Sequence, residues 1–547
     1  MTKPEVLIEG MKKVVTQYFI LAAIILISII GGTVAVYSTA NGPWGYTDSV
    51  EYISTARSLL DGRGLGYYQG NGNFDYVTIH PPFYSLVLSA IGLLGINLVV
   101  AARWLNVISF VLVIFITGWM FFRFSRVPAM GIIASALMCA FPGMVSMFSS
   151  SMSEPLFIFL VLLQGLCLLV YLEKKKSYLL ALTALAVGLA SLNRSAGLAM
   201  LGAGAVSILL FAPGQKWQRP GKVFLYTGLG SLPAVLWFAW VYISVDHSIG
   251  GRSIDGWTVA LASHFQAFRG IFVETIWKWI PYAVQLPLYY RARFGLLGIS
   301  VIVVAGLSFL AWRWLRMDSV PNDRRYDAPI FVHFGLSALF YVVILIATYL
   351  FTLPTIDINN RILLPLYVSS VIALFGAFAL WQMAWFRGRL WWLQILPWLI
   401  GTLCVYWYIP QVQKLAMFYH TGDGLTAYRW DHSETINAVR SLPSDKPVIS
   451  NDWELLLLWT DRPIYGLWLT FPTGSPQEVR YGANSADPAQ MVFCEQGAAL
   501  VVFDDFSSQV RTQIGESYLD RLPTLFAGLS VFGKYPDGTI YLCPAAP

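Results

Sequence analysis

Charged residues are scarce in this chain of 547 residues. Asp, Glu, Lys and Arg together make up 12% of it, and 56% is hydrophobic, whereas an ordinary soluble domain carries roughly 25% charged residues. This composition excludes a disordered chain, a coiled coil and a collagen-like fibre. It also excludes a purely soluble protein, because no single core could bury so many long uncharged runs. The chain is therefore predicted to be a polytopic membrane protein.

Cysteine is also rare, with five residues and no CxxC pair, which excludes a zinc ribbon and a disulfide-rich module. Cys139, Cys167 and Cys404 lie in apolar runs, where cysteine is a small core residue. Cys494 and Cys543 lie in a polar C-terminal part and could form a disulfide if that part is exported. The net charge of +6 is small for the length, and its basic residues form no patch typical of nucleic-acid binding.

Long uncharged runs identify the membrane spans, because a spanning helix needs about 20 predominantly apolar residues. Eleven such runs are predicted to span. They lie near 18–40, 104–122, 127–153, 155–172, 177–193, 195–215, 223–245, 294–312, 328–356, 362–386 and 390–413. The first run is too long for a signal-peptide core and is followed by no convincing cleavage site.

Basic residues set the orientation of the spans, since Lys and Arg concentrate in short cytoplasmic loops. Alternate loops contain Arg123 and Arg126, then 174–176, then further basic groups, whereas the opposite short loops hold only Arg194 and Arg361. This alternation predicts a cytoplasmic N-terminus and an external C-terminus. The apolar run at 81–98 would invert every later loop if it crossed the membrane, so it is predicted to lie in the outer interface.

Two domains follow from this topology. Residues 1–413 form the membrane domain, and 414–547 form a polar external domain long enough to bury its own core. Within the latter, 447–450 and 498–503 are predicted strands, while 434–442 and 507–522 are predicted helices. The predicted fold is thus mostly α, with interfacial helices in a long first external loop and a small C-terminal α/β domain.

The first external loop, at 41–103, holds the densest set of ionisable residues. Asp48 opens an amphipathic stretch, where it is either an N-cap that forms a capping box with Glu51 or a catalytic base. His80 precedes Pro81-Pro82 at the start of the interfacial helix, as a structural residue or as a phosphate ligand.

Three further ionisable residues lie at the outer ends of spans, where charge near lipid is costly. Glu154 begins the fourth span and is expected to face a cavity. Arg194 interrupts an apolar stretch, and Arg361 directly precedes a span. Each arginine is either an interfacial anchor or a ligand for phosphate, which matches the planar guanidinium fork.

The order of these motifs resembles that of the GT-C glycosyltransferases over roughly residues 15–410. The matching segments are Asp48-Ser49, the Gly-rich turn at 61–66, His80-Pro81-Pro82, Glu154, Asn193-Arg194 and 360–365. Among GT-C enzymes, the chain is similar to the protein O-mannosyltransferase and lipid A aminoarabinose transferase group (families 39 and 83). Those relatives commonly carry Asp-Glu and Lys-Pro-Pro at the first and third of these positions.

This resemblance implies transfer of a sugar from a polyprenyl-phosphate donor to an acceptor hydroxyl at the outer face of a prokaryotic cytoplasmic membrane. Its partners would be the bilayer, the lipid-linked donor and a glycan, lipid or protein acceptor. Asp48 and Glu154 would be catalytic, and a divalent cation on these two residues is left open. The donor phosphate would be bound by His80, Arg194, Arg361 and Arg57. The acceptor or the site itself would be supported by Glu51, Tyr52, Tyr84 and Asn360.

Other functions remain open on the sequence alone. A glycan ligase that uses a lipid pyrophosphate would share the architecture and the arginines but would not need an acid in the first loop. A lipid or sugar transporter would show inverted repeats or broken spans at midplane, and neither is evident. A membrane scaffold would use the external domain, with Asp504-Asp505 or 452–454, to bind a partner.

Overall fold

The structure is a computed structural model of the chain. It describes residues 3–246, 261–281, 327–351, 357–384, 395–467, 497–504, 526 and 529–542. The predicted span at 294–312, the predicted helix at 507–522, and Cys494 and Cys543 lie outside these residues.

Helices make up most of the described chain. Six are long and apolar enough to cross a membrane: α1 (Lys3–Ser38), α4 (Leu98–Phe124), α7 (Glu154–Lys174), α10 (Arg219–Val241), α12 (Asp327–Phe351) and α13 (Asn360–Ala384). These runs are helical because lipid offers no hydrogen-bond partners, so the backbone must satisfy its own groups. A mostly α fold with several candidate spans agrees with the sequence prediction.

The count of candidate spans is lower than the predicted eleven. The run at 127–153 is not one straight helix, because Pro142 begins a new helix: α5 (Met130–Ala140) and α6 (Pro142–Phe148) meet at 61°. Counted as one broken span, the pair raises the number to seven within the part of the chain described. Helices α8 (Ser177–Asn193) and α9 (Gly197–Phe211) have 17 and 15 residues and are shorter than a typical span.

The first loop folds into α2 (Thr47–Leu60), a hairpin of β1 (Gly66–Tyr68) and β2 (Phe74–Tyr76), and α3 (Phe83–Gly92). Helix α3 has 10 residues, so it is about 15 Å long, half the thickness of a hydrocarbon core.

The prediction that Asp48 caps helix α2 and forms a capping box with Glu51 is wrong. The N-cap of α2 is Tyr46, two residues before Asp48, and its amide donates to Ser49 Oγ at 2.9 Å. Asp48 is therefore not needed to cap the helix.

The C-terminal region begins beyond α14 (Leu396–His420), which extends past the expected boundary at residue 413. It contains α15 (Glu434–Ser441), β3 (Val448–Ser450), α16 (Trp453–Thr460), β4 (Tyr465–Gly466), β5 (Ala499–Phe503), β6 (Ser530–Tyr535) and β7 (Gly538–Leu542). The sheet has the order β4-β3-β5-β7-β6, with β3 parallel to β4 and β5 and the other pairs antiparallel. The predicted strands at 447–450 and 498–503 and the helix at 434–442 are present.

The C-terminal region packs on the first loop, and this contact positions the site. Asn71 pairs with Tyr465 at the edge of the sheet, and the amide of Gly466 donates to the carbonyl of Gly70 at 2.6 Å. Gly72 has φ +78°, and a Cβ there would lie 2.5 Å from the ring of Tyr465, so only glycine permits this approach. The two segments therefore form a continuous surface.

Candidate active site

One guanidinium joins residues from three distant parts of the chain. Arg361, in the first turn of α13, donates from Nε to Glu154 Oε1 and from Nη2 to Asp48 Oδ2. Asp48 lies in the first turn of α2 and Glu154 is the first residue of α7. The structure thus brings together the two predicted catalytic acids and a predicted phosphate ligand. Asp48, Glu154, Arg194 and Arg361 are called the Arg361 cluster below.

Glu154 is the buried anchor of the cluster. Its side chain is 1% exposed, and Arg194 Nη1 lies 2.8 Å from the same Oε1 atom that binds Arg361. A buried carboxylate is tolerated only when cations and hydrogen bonds compensate it, and two arginines do so here. The other oxygen, Oε2, is buried without a hydrogen-bond partner among the described residues. Glu154 is therefore a fixed counterion of the two arginines.

Ser153 holds three segments in place beneath the cluster. Its carbonyl accepts from Asn193 Nδ2 at 2.9 Å, and its hydroxyl lies 3.0 Å from Tyr52 OH and accepts from Arg194 Nη1 at 3.2 Å. The α8–α9 turn and helix α2 are thus tied to the start of α7. Ser153 was not selected in the sequence analysis; it is the N-cap of α7 and makes no side-chain capping bond. Its positioning role depends on contacts that no local pattern records.

Asp48 and His80 form the more open wall of the site. Asp48 Oδ2 is 3.7 Å from His80 Nε2, and His80 Nδ1 is 2.8 Å from Glu51 Oε1. Burial alone would raise the pKa of Asp48, but Arg361 and His80 hold that pKa below its ordinary value. Burial would lower the pKa of His80, and Glu51 and Asp48 together raise it. The pair therefore favours a carboxylate beside an imidazolium.

Exposure separates the cluster into a buried and an accessible side. The side chains of Asp48, Arg361 and Arg194 are 25%, 24% and 19% exposed, against 1% for Glu154. With Glu51 included, three carboxylates face two guanidinium groups and one imidazole, so positive charge is not in excess before a ligand binds. A phosphate would approach Arg361 from the side of Asp48.

The predicted supporting residues lie close by, in different roles. Tyr52 packs edge-on against His80 and Tyr84, each with ring centroids 5.2 Å apart, and both tyrosines are buried. Tyr84 OH reaches Asn106 Oδ1 at 3.5 Å, in the layer beneath Tyr52. Asn360 Oδ1 accepts from Trp279 Nε1 at 3.1 Å, which connects α13 to the chain just beyond α11 (Leu261–Trp277).

Arg57 is not brought to the cluster. It lies nine residues after Asp48 on the same helix, about 14 Å along the axis, and its Nη1 is 3.6 Å from Asp461 Oδ1. Arg63 Nη2 is 2.8 Å from Asp461 Oδ2. These ion pairs connect the first loop to the residue that follows α16. Because this length of helix separates Arg57 from Asp48, Arg57 contacts Asp461 and not the predicted phosphate site.

Glu454 is a residue of the site that the sequence analysis did not select. Its Oε2 accepts from Thr47 Oγ1 at 3.0 Å, and Thr47 directly precedes Asp48. Burial raises the pKa of Glu454, and the charge of Asp48 adds to that effect. Among the ion pairs of the described residues, none includes Glu454. In the sequence analysis Glu454 was named only within 452–454, as a feature through which a membrane scaffold would bind a partner.

A divalent cation on Asp48 and Glu154 does not fit this arrangement. In the described ranges, no group of three or more His, Cys, Asp or Glu side chains is placed to hold a metal ion. Asp48 and Glu154 instead share Arg361, whose charge occupies the position between them.

Comparisons with known proteins support a GT-C-like fold. No family model matches the chain, and no curated protein matches it in sequence. The structure of ArnT from Cupriavidus metallidurans bound to undecaprenyl phosphate is similar, with a TM-score of 0.54, 13% identity and coverage of 95% of this chain and 98% of that one.

Two other solved structures are similar over nearly all of this chain. The archaeal oligosaccharyltransferase AglB from Archaeoglobus fulgidus, in complex with an inhibitory peptide and a dolichol-phosphate, has a TM-score of 0.51 and 12% identity. The match covers 97% of this chain and 75% of that one. The arabinofuranosyltransferase AftD from Mycobacteria has a TM-score of 0.50 and 15% identity, with 96% of this chain and 41% of that one covered. At these identities the likeness establishes the fold.

Proposed function

We propose that the protein is a membrane glycosyltransferase that moves a sugar from a polyprenyl-phosphate donor to an acceptor hydroxyl. The observation that carries the proposal is the convergence of Asp48, His80 and Arg361 on one accessible site, with Arg194 paired to the same Glu154 oxygen as Arg361. Two solved structures of similar fold hold undecaprenyl phosphate or dolichol-phosphate, which supports this class of donor. A lipid-linked donor also suits an enzyme whose site lies at the ends of membrane helices.

Asp48 would act as the general base. The acceptor oxygen attacks the anomeric carbon, the bond from that carbon to the phosphate oxygen breaks, and its electron pair remains on the phosphate. The acceptor proton passes to Asp48. A single displacement of this kind proceeds through an oxocarbenium-like state and inverts the anomeric configuration.

The arginines would stabilise the leaving phosphate. A polyprenyl phosphate needs charge stabilisation rather than protonation, and guanidinium groups supply it through paired hydrogen bonds. Arg361 and Arg194 are both partly exposed, at 24% and 19%, and both contribute positive charge to the site. His80 would add a third cation when protonated. Glu154 would orient both arginines without contacting the substrate.

The orientation and domain division complete the proposal. The site would face the outside of a prokaryotic cytoplasmic membrane, with the N-terminus inside and 414–547 as the external domain. Such an orientation would place the donor phosphate at headgroup depth. The proposed membership within GT-C enzymes is the group of protein O-mannosyltransferases and lipid A aminoarabinose transferases.

The direct test uses purified protein in proteoliposomes with a panel of undecaprenyl-phosphate sugars and a cell-envelope lipid extract as acceptor source. We expect saturable undecaprenyl-phosphate binding and release of undecaprenyl phosphate from one donor, dependent on the extract. Movement of labelled donor across the bilayer without sugar transfer would instead indicate a transporter. Turnover only with pyrophosphate-linked donors would indicate a glycan ligase.

The pH dependence of lipid-phosphate binding should follow His80. Because its pKa is raised, the imidazolium persists above the ordinary value of about 6.5 and is lost as the pH rises through the raised pKa. Affinity for undecaprenyl phosphate should therefore fall as the pH rises above the ordinary pKa of an imidazole and through the raised pKa of His80. The variant His80→Gln should bind more weakly at pH 7 and show a flatter profile. Equal slopes for both proteins would remove His80 from the phosphate site.

Glu454 should contribute to acceptor binding. Its carboxylate is held beside Asp48 by Thr47 and pairs with no described cation, so it can accept hydrogen bonds from acceptor hydroxyls. We expect Glu454→Gln to raise the apparent KM for the acceptor extract about tenfold, with little change in undecaprenyl-phosphate affinity. Glu434→Gln, at the start of α15, is the matched control. An unchanged KM would make Glu454 a structural contact only.

A further inference from the structure

We propose that Asp48 occupies, before the donor binds, the place on Arg361 that the donor phosphate takes. Asp48 and the phosphate then compete for one guanidinium, so Asp48 is a determinant of donor affinity as well as the base. This inference rests on the proposed function and specifies how its phosphate subsite is filled when no donor is bound.

The two carboxylates on Arg361 differ in how firmly they are held. Glu154 is 1% exposed and has Arg194 as a second cation at 2.8 Å, so moving it would leave a buried charge uncompensated. Asp48 is 25% exposed, and its other neighbouring cation, His80, is 3.7 Å away. Asp48 is therefore the exchangeable partner of Arg361 and Glu154 the permanent one.

Charge balance makes an exchange necessary. A phosphate that joined the site without displacing a carboxylate would lie beside Asp48, and two anions at contact distance repel each other. If the phosphate takes the Nη2 side of Arg361, the guanidinium keeps its bond from Nε to Glu154 and exchanges one anion for another. The number of ion pairs on Arg361 is then unchanged.

The start of α2 allows this exchange at little structural cost. The N-terminus of the helix is capped by the hydrogen bond from the Tyr46 amide to Ser49 Oγ, and Asp48 makes no capping bond. Its side chain can rotate away from Arg361 without loosening the helix. The released carboxylate loses its main cation and is then available to the acceptor hydroxyl, which favours donor binding before acceptor binding. After transfer, return of Asp48 to Arg361 would assist departure of the polyprenyl phosphate.

The test measures undecaprenyl phosphate affinity, which needs neither the sugar nor the acceptor. Asp48→Asn removes the competing charge and should lower the Kd about five- to tenfold. Asp61→Asn is the matched control: Asp61 directly follows α2 and pairs with Arg63 at 2.5 Å, away from the Arg361 cluster. It removes the same charge from the same external loop and should leave the Kd unchanged.

The outcomes are distinguishable. An equal or higher Kd for Asp48→Asn overturns the competition, and so does an equal decrease in both variants, since that would reflect general electrostatics. Asp48→Ala should also bind more tightly, and it replaces Asp48→Asn if that variant does not fold. Failure of the unmodified protein to bind undecaprenyl phosphate would instead overturn the proposed function and this inference with it.

Discussion

Replacing Asp48 with Asn is expected to reduce sugar transfer by about three orders of magnitude while leaving the protein folded. General-base catalysis contributes roughly 10²- to 10⁴-fold to a rate, and an amide cannot accept the acceptor proton. The substitution preserves shape, and the start of α2 depends on Ser49 rather than Asp48. Initial rates of undecaprenyl phosphate release in proteoliposomes, with an active donor and acceptor extract, measure the effect.

The control separates loss of the base from loss of structure. Asp48→Asn should elute as a single species and still bind undecaprenyl phosphate, and Asp61→Asn should turn over at the unmodified rate. Turnover by Asp48→Asn within about tenfold of the unmodified protein would remove Asp48 as the base, since that loss is below the range for such a group.

Replacing Arg361 with Lys should weaken undecaprenyl phosphate binding and slow transfer, each by about a hundredfold. The loss of one donor to developing charge costs roughly 10²- to 10³-fold in rate, and an ammonium cannot bond Glu154 and a phosphate through two fixed edges as a guanidinium does. Lys keeps the positive charge beside buried Glu154, so it tests geometry with less risk to the fold than Ala.

Arg429→Lys is the matched control for this substitution. Arg429 pairs with Asp423 at 2.9 Å, and both side chains are exposed, so the same change there should leave affinity and rate unaltered. If Arg361→Lys binds the lipid phosphate as well as the unmodified protein, Arg361 anchors helix α13 and does not bind the donor.

The Arg361 cluster has a second consequence for the folded protein. It connects α2, α7, α13 and the α8–α9 turn through charged groups, one of which is almost fully buried. Removing one partner of such a network leaves the others uncompensated. Variants that remove Arg194 or Glu154 outright therefore test stability together with function, and the conservative changes at Asp48 and Arg361 are more informative about mechanism.

Several local features could be predicted because they depend on neighbouring residues alone. The long uncharged runs predicted helices, and two short runs of apolar, mostly β-branched residues predicted the strands observed at 448–450 and 499–503. Pro142 broke a run that had been predicted as one span, because the expected count considered apolar length and gave no weight to the missing amide. Glu154, Arg194 and Arg361 could be selected because charge at the end of an apolar run is costly, and Asp48 because it belongs to the dense set of ionisable residues in the first loop.

The partners of those charged residues could not be predicted, because each contact joins positions far apart in the chain. Asp48 and Arg361 are 313 residues apart in sequence. Distant contacts also explain why Arg57, a predicted phosphate ligand, pairs with Asp461, and why Glu454 was not selected for the site. Arg57 pairs with Asp461 because it lies nine residues along α2 from Asp48, too far from the Arg361 cluster. Glu454, in α16, instead lies within hydrogen-bond distance of Thr47. The sequence by itself determined which segments are apolar and which ionisable residues interrupt them. The tertiary structure decided which charges meet, because ion pairing depends on distance in space and not on order in the chain.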